Sequence, residues 1–135
     1  MSNAIYVSIN PNAVNKIINK IKNHEFRNYI PKNKFDTLYV YTTSPQSELK
    51  YLLKIDQIIK YPNQISKKGD GNLEFNNGKK TKFAYKIGNI YELENSISLK
   101  ELKENYGFTP PQSYAYSNHY PKLTKKLEQT TKRKI

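Results

Sequence analysis

The sequence predicts an α+β domain, namely a small, mostly antiparallel β-barrel with an amphipathic helix after the first strand and a short second helix. Runs of alternating β-branched and aromatic residues recur along the chain and predict most of the strands. A helical spacing of apolar residues follows the first run, and a capping-box sequence opens the second helix. At 135 residues the chain has the length of one domain.

The first strand and first helix are predicted from the N-terminal residues. "AIYVSI" (4–9) is a β-branched and aromatic run. Asn10 and Pro11 then supply an N-cap residue and a proline for the first helical turn. Apolar side chains recur at helical spacing after them: Val14, Ile17, Ile18 and Ile21. These features predict an amphipathic helix over 11–22.

Several further strands are predicted in the middle of the chain. Segments 24–30, 37–43 and 48–59 are rich in strand-forming residues, and the last alternates between a drier and a more polar face. Residues 61–80 are rich in Gly, Asn and Lys and predict a flexible insertion. Within it, Asn77-Gly78 is a hairpin signal that joins a strand at 73–75 to another at 82–93.

The C-terminal part is expected to be a helix, a loop and a basic tail. Ser98-Leu99-Lys100-Glu101 fits a capping box, and Gly107 closes the helix. "TPPQSYAYS" (109–117) predicts a proline-stiffened loop. Residues 1–117 are therefore taken as one domain and 118–135 as a basic tail. Leu123 and Leu127 allow one or two helical turns there, and the last residues are expected to fray.

The composition limits the possible partners. The chain carries 23 basic and 11 acidic side chains, a net charge of +12, which favours a polyanion: nucleic acid first, an anionic membrane second. A Lys- and Asn-rich chain is also what an AT-rich genome encodes, so the charge alone leaves both readings open. Two His and no Cys argue against a metal site, and we expect no cofactor. The origin of Ser2-Asn3-Ala4, which resembles a cloning scar, stays open.

The sequence also indicates where the protein works. No apolar run approaches the length of a membrane span, and the N-terminus lacks the apolar core of a signal peptide. We therefore expect a cytoplasmic monomer with no membrane partner.

The densest charge lies in "KIKNHEFRNYIP" (20–31), where the helical pattern gives way to an extended one. On an extended segment Glu25 and Arg27 share a face, and Lys22 can reach it from the helix end. A carboxylate flanked by two cations stays ionised. The three side chains could hold a polar ligand, the cations meeting a phosphate or carbonyl oxygen and Glu25 an amino group. An ion pair that locks helix to strand is the alternative, and the spacing alone favours it.

The pattern K-x-x-E-x-R after an amphipathic helix resembles the ASCH domains of the PUA-like superfamily, whose signature is G-x-K-x-x-E-x-R. Lys22, Glu25 and Arg27 fall on its K, E and R, whereas Lys20 stands where the family usually has Gly. "SINPNAVNKI", "YVYTTSP" and "SISLKELKENYGFTPPQSYAY" match in the same order. The last stretch is similar to the end of a bacterial and phage subgroup. The resemblance covers about residues 5–116, with 61–80 divergent.

The resemblance implies a PUA-like β-barrel with the motif lining a cleft that binds RNA or a nucleotide-like ligand. In such a cleft Gln112 can face a base edge, and a tyrosine ring can stack on the base. The expected cleft residues are Lys22, Glu25, Arg27, Tyr41, Thr43, Ser44, Gln112, Ser113 and Tyr114. A rigid loop that plugs the barrel mouth is the alternative for 109–117. Basic tail residues are expected to contact the nucleic-acid backbone: Lys122, Lys125, Lys126, Lys132 and Arg133.

Enzymatic activity is not favoured. Some ASCH-related proteins resemble amidohydrolases that remove an acyl group from N4-acetylcytidine with a Lys, a Thr nucleophile and a Glu. Glu25 occupies the position of that Thr, so an acyl-enzyme route has no obvious nucleophile. Two alternatives to ligand binding stay open. One is a hydrolase in which a Lys–Glu pair activates water on a modified nucleoside, and the other is a regulatory interaction domain whose cleft holds only an ion pair.

Overall fold

The computed structural model describes residues 3–135, so that Met1 and Ser2, where the scar-like sequence begins, lie outside it. These residues form a curled half-barrel sheet of seven strands with four α-helices around it. The α+β class predicted from the sequence is confirmed. The elements are β1 (Ala4–Ile9), α1 (Pro11–Ile18), β2 (His24–Arg27), β3 (Thr37–Thr42), β4 (Glu48–Lys60), α2 (Asn72–Asn76), β5 (Phe83–Ser98), α3 (Leu99–Tyr106), β6 (Ala115–Tyr116), a 3-10 turn (Ser117–His119), α4 (Pro121–Gln129) and β7 (Lys132–Lys134).

The sheet runs β2-β5-β4-β3-β1-β6, and β7 pairs with β5. β1 and β3 are parallel, so α1 belongs to the crossover that joins them. The other pairs are antiparallel. The register between β4 and β5 shifts at three places. Such bulges raise the local twist and let the long β4–β5 ribbon curl. β2 is the first strand in this order and therefore lies at one edge of the curled sheet.

Helix α1 begins as predicted and ends at Ile18, four residues before the predicted boundary. The Asn10 side chain accepts a hydrogen bond from the Ala13 amide, 2.8 Å away. At the other end Lys20 adopts a left-handed φ of 64°. The Ile21 amide donates to the Lys16 carbonyl at 2.9 Å, which is the bond of a Schellman cap. Ile21 thereby leaves the apolar face of the helix and is 55% exposed.

The sheet has an apolar core on each of its faces. One core packs against α3 and α4 and contains Tyr6, Tyr39, Tyr41, Leu102, Phe108, Leu123 and Leu127. The other packs against α1 and contains Ile5, Val7, Val14, Ile17, Leu38, Val40 and Tyr85. The alternation along β1 and β3 sends successive residues to opposite cores, as a period of two requires.

The predicted strand at 73–75 is wrong, because these residues belong to helix α2. Phe75 is fully buried and its ring lies 5.9 Å from that of Phe26. The Asn77 amide, which the hairpin prediction placed in a turn between strands, instead caps α2 by donating to the Leu73 carbonyl at 3.0 Å. Three residues are too short to distinguish a period of two from one of 3.6. A long-range aromatic contact decides the conformation here.

The predicted fraying of the last residues is also wrong. β7 pairs with β5 from Lys132 opposite Leu93 to Lys134 opposite Tyr91. Before it, α4 buries Leu123 and Leu127 completely in the core that packs against α3 and α4.

No helix within residues 3–135 is long and apolar enough to cross a membrane.

Candidate ligand-binding site

Lys22, Glu25 and Arg27 meet at the start of β2 and are called the Glu25 cluster below. Arg27 Nη2 and Nε lie 2.7 and 3.0 Å from Glu25 Oε2. Lys22 Nζ lies 3.7 Å from the other carboxylate oxygen, Oε1. The three side chains are only 10%, 8% and 13% exposed in chain order. The structure thus brings the motif residues together in a largely dry environment.

Local geometry explains how the sequence builds the cluster. Alternation along β2 places Glu25 and Arg27 on one face and His24 and Phe26 on the other. The Schellman turn after α1 reverses the chain, and the Lys22 amide also donates to a carbonyl in that helix, that of Lys16, at 3.1 Å. This turn directs Lys22 back toward the face that carries Glu25.

The Arg27 guanidinium donates hydrogen bonds to four different residues. Besides Glu25 it donates to the Ser8 carbonyl at 3.2 Å, the Tyr29 hydroxyl at 3.1 Å and the Ser113 carbonyl at 3.4 Å. A guanidinium offers five N–H donors in a fixed plane. Arg27 therefore holds β1, the segment after β2 and the loop before β6 in one arrangement.

Lys22 is less fully paired than Arg27. Its 3.7 Å separation from Glu25 Oε1 is longer than a hydrogen bond. The ammonium lies 4.5 Å from the centre of the Phe26 ring. Burial lowers the pKa of Lys22, and the Glu25 charge opposes that shift. Lys22 is therefore the cation of the cluster with capacity for a further acceptor.

The loop 109–114 is attached to the cluster through backbone carbonyls. The Tyr29 hydroxyl donates to the Ser113 carbonyl at 2.7 Å, and the Ser8 hydroxyl donates to the Pro111 carbonyl at 2.8 Å. The rings of Tyr29 and Tyr114 stack with centres 5.2 Å apart. A cleft of about 720 Å³ opens on this loop, lined by Thr109, Pro110, Pro111, Gln112, Ser113, Tyr114, Ala115, Tyr116, His119 and Tyr120.

Three predicted loop residues therefore line a cleft next to the cluster. Gln112 and Ser113 are exposed there, and Tyr114 is half-buried. Ser113 contacts the cluster through its main-chain carbonyl.

Of the other predicted cleft residues, Tyr41 lies in a core, and Thr43 and Ser44 follow β3. Tyr41 is 4% exposed and packs in the first core, its ring 6.1 Å from that of Phe108. The Thr43 amide donates to the Ile9 carbonyl at 3.0 Å, and Ser44 is exposed in the turn that follows β3. Within residues 3–135 no hydrogen bond or ion pair joins these three side chains to the Glu25 cluster.

Tyr29, Ser8 and Tyr85 also form this site and were missed. Tyr29 bridges Arg27 and Ser113, and the Tyr85 hydroxyl donates to the Tyr29 carbonyl at 2.5 Å. The signal for Tyr29 was present in the sequence, since alternation continued from Glu25 and Arg27 reaches position 29. Ser8 and Tyr85 come from distant segments, so nothing local pointed to them.

The basic tail divides into two groups. Lys122, Lys125 and Lys126 are exposed on α4. By contrast, Lys132 donates to the Leu127 and Thr130 carbonyls at 2.5 and 2.9 Å. Arg133 Nη2 lies 2.6 Å from Glu92 Oε1. Lys132 therefore ties β7 to the end of α4, and Arg133 ties β7 to β5, as well as adding charge.

No group of three or more His, Asp or Glu side chains in 3–135 is placed to hold a metal ion.

Comparison with known proteins places the fold. Neither a family model nor a curated relative matches this sequence. Crystal structures of an ASCH protein from Zymomonas mobilis do match in three dimensions, each with a TM-score of 0.68 over 95% of this chain. The structure titled simply ASCH is 21% identical and is covered over 96% of its length. Two mutants of that protein are 20% identical and are covered over 96% and 99%. The chain therefore has the fold of these ASCH structures, as the resemblance carried by Lys22, Glu25 and Arg27 predicted.

Proposed function

We propose that this protein binds single-stranded RNA or a nucleotide-like ligand at the Glu25 cluster and the adjoining loop cleft. The observation that carries the proposal is Lys22, a largely buried ammonium that lies 3.7 Å from its carboxylate partner. A buried cation gains from a closer acceptor, because charge-assisted hydrogen bonds are strong where water is excluded. A phosphate or base carbonyl oxygen supplies that acceptor.

The loop cleft supplies the groups that recognise a base. Tyr114, Tyr116 and Tyr120 line it and offer rings for stacking. Gln112 is exposed at the same cleft and has both donors and an acceptor for a base edge. Single strands present unstacked bases to such groups, whereas a duplex does not. The proposal therefore favours a single strand or a free nucleotide.

The exposed lysines of α4 add a sequence-independent contribution. Lys122, Lys125 and Lys126 carry positive charge into solvent on a chain of net charge +12. Each phosphate contact they make should contribute about one unit to the slope of log K against log salt. We expect affinity for RNA to fall steeply with salt. An affinity that is flat between low and high salt would contradict the electrostatic part.

A hydrolase that acts on a modified nucleoside of the N4-acylcytidine type is the second candidate. Burial lowers the pKa of Lys22, which is the direction of change that a proton-transfer group requires. The Glu25 carboxylate lies 3.7 Å from the Lys22 ammonium. Release of cytidine from N4-acetylcytidine, lost in Glu25→Gln, would support this candidate. Our binding proposal expects no turnover.

The test compares two lysines that contact the same ring. Lys22 and Lys80 lie 4.5 and 5.3 Å from the centre of the Phe26 ring, but only Lys22 is paired with Glu25. We expect Lys22→Met to weaken binding of a short single-stranded RNA about tenfold and Lys80→Met by less than about twofold, measured by fluorescence anisotropy. If Lys22→Met lowers the melting temperature and leaves RNA affinity unchanged, the cluster is a structural ion pair and the proposal is wrong.

A further inference from the structure

The face of β2 opposite the Glu25 cluster carries a row of polar side chains. His24 in β2 pairs with Lys86 in β5, and Lys86 pairs with Gln57 in β4. Residues directly opposite one another across strands project to the same face of a sheet. The next row on this face is apolar, with Phe26, Ala84 and Ile59, and residues of the 61–80 segment cover it. The polar row lies beside this cover.

A cleft of about 230 Å³ lies over the polar row. Its lining residues come from three strands and from the loop after β4: His24, Gln57, Ile58, Ile59, Asn63, Gln64, Ile65, Ser66, Lys67 and Lys86. The loop residues belong to the segment that diverges from the ASCH pattern. The cleft shares no lining residue with the proposed RNA site, and half of its lining, residues 63–67, belongs to the part of the chain that the family resemblance does not cover.

His24 lines this cleft and carries a buried nitrogen, Nε2, that has no hydrogen-bond partner among the described residues. The residue is 1% exposed, and its Nδ1 lies 2.6 Å from Asn23 Oδ1. The Asn23 amide is oriented by its own bonds, since its Nδ2 donates to the Lys68 carbonyl and its Oδ1 accepts from Asn72, both at 2.9 Å. Nδ1 must therefore carry the proton. Nε2 is left as a lone pair, with no partner among the described residues.

Burial and the positive charge around His24 keep its ring neutral. Burial lowers its pKa to about 4, and the positive charges of Lys86, Lys67 and Lys22 act in the same direction. A buried acceptor without a donor is costly. The unpaired Nε2 therefore points to a ligand that brings a hydrogen-bond donor of its own.

The remaining lining defines the rest of that ligand. Lys67 and Lys86 offer ammonium groups for an anion, and Gln57, Asn63 and Gln64 offer amides for hydroxyl groups. The lining residues include no Phe, Tyr or Trp in the part of the chain that the structure describes. Stacking of a base is therefore not provided for here.

We propose that this cleft binds a sugar phosphate, with a sugar hydroxyl donating to His24 Nε2 and the phosphate bound by Lys67 and Lys86. The hydroxyl is the donor that Nε2 lacks, and the two lysines match the phosphate charge. Such a unit occurs in a free sugar phosphate and in a nucleotide. The cleft recognises the sugar hydroxyl and the phosphate that these two ligands share.

The test uses two adjacent lysines as a matched pair. Lys67 and Lys68 are both exposed, and only Lys67 lines the cleft. Ribose 5-phosphate is titrated into the wild type, Lys67→Ala and Lys68→Ala, and binding is followed by calorimetry and by the NMR signals of His24 and Lys86. We expect Lys67→Ala to weaken binding about tenfold and Lys68→Ala by less than about twofold. The same titration with adenosine 5′-monophosphate distinguishes the free sugar phosphate from a nucleotide as the source.

Three results would overturn the proposal. One is no binding of ribose 5-phosphate up to about 10 mM, the weak limit for a small ligand. Another is equal weakening by the two alanine variants, which would indicate a diffuse charge effect. The third is inorganic phosphate binding as tightly as ribose 5-phosphate, since the sugar would then not be recognised. Lys22 does not line the cleft and acts on His24 only through its charge, so Lys22→Met should change this binding by less than about twofold. Failure here and failure of the RNA proposal are therefore distinguishable.

Discussion

Two glutamates in this protein each lie between a lysine and an arginine, and they differ mainly in burial. Glu25 lies 3.7 Å from Lys22 and 2.7 Å from Arg27. Glu92 lies 3.4 Å from Lys50 and 2.6 Å from Arg133, which we call the Glu92 cluster. Yet Arg27 is 13% exposed and Arg133 is 79% exposed. Similar ion-pair distances therefore carry very different energies, because water screens only the second cluster.

The clusters also differ in how they are encoded. The three members of the Glu25 cluster lie within six consecutive residues, 22–27, so they are visible as a motif. The Glu92 cluster joins β4, β5 and β7 and becomes visible only when the sheet is assembled. Local spacing can suggest a buried site, but long-range pairing on a surface has no local signature.

The largest expected effect comes from removing each carboxylate in turn. Glu25→Ala leaves two buried cations without their counter-charge and should lower the free energy of unfolding by about 3–5 kcal/mol. Glu92→Ala should cost less than about 1 kcal/mol, since its partners remain solvated. Urea unfolding of both variants measures the difference. Equal losses would show that burial does not separate the two clusters.

Acid should lower the free energy of unfolding because it favours protonation of His24, on the other face of β2 from the Glu25 cluster. The pKa of His24 is lowered from 6.5 to about 4 by burial and by nearby lysines. Below pH 6.5 the unfolded chain therefore binds a proton that the folded ring does not bind until about pH 4, so folding stability falls with pH across this window. His24 alone should account for a loss of about 3 kcal/mol by the lower end.

The variant His24→Gln isolates this contribution. It removes the titrating ring and leaves the carboxylates, which respond to acid in both proteins. Unfolding free energies at about pH 7 and about pH 4.5 should then fall less in the variant than in the wild type. Identical pH dependence in the two proteins would contradict the neutral, buried His24.

A smaller effect is expected at the end of the chain, next to the Glu92 cluster. Lys132 donates to the Leu127 carbonyl in the last turn of α4 and to the carbonyl of Thr130, the residue just after the helix. Lys132→Ala should therefore cost about 1.5–3 kcal/mol in thermal unfolding, the range for a hydrogen bond to a charged group. Lys134→Ala, at an exposed position of β7, serves as the control and should change little. A silent Lys132→Ala would mean that packing of α4 alone holds the tail.

The smallest expected effect is a gain at the turn that forms the Glu25 cluster. Lys20 adopts a φ of 64° at the cap of α1, where the ASCH signature has Gly. A left-handed conformation costs a residue with a Cβ about 1 kcal/mol relative to Gly. Lys20→Gly should raise the melting temperature by a few degrees, whereas Lys20→Ala should not. A loss of stability in Lys20→Gly would indicate that the lysine side chain itself supports the turn.

Much of the fold could be predicted from local patterns, and the exceptions have physical causes. β1, β3, β4 and α3 follow from alternation, N-caps and the Gly107 C-cap. The end of α1 was missed because Lys20 is an uncommon residue for a left-handed cap. Helix α2 and strand β7 were missed because Phe75 and Lys132 are fixed by partners far along the chain.

At the candidate ligand-binding site, too, local spacing predicted some residues, and long-range structure determined where others lie. The spacing of Lys22, Glu25 and Arg27 indicated that they lie together, and the loop contributes the Ser113 carbonyl, which accepts from Arg27. Tyr41 was assigned to the cleft from its position in a strand that resembles the family. The face on which its side chain lies depends on register, and it projects into the core against Phe108.

The most direct test of the central claim is to map a short single-stranded RNA onto the isotope-labelled protein by NMR. Our account predicts that the largest shifts occur at Lys22, Glu25, Arg27 and Tyr29 and along 112–114, and that they persist at a salt concentration that removes shifts at Lys122, Lys125 and Lys126. Shifts confined to the α4 lysines, and lost together as salt is raised, would contradict it.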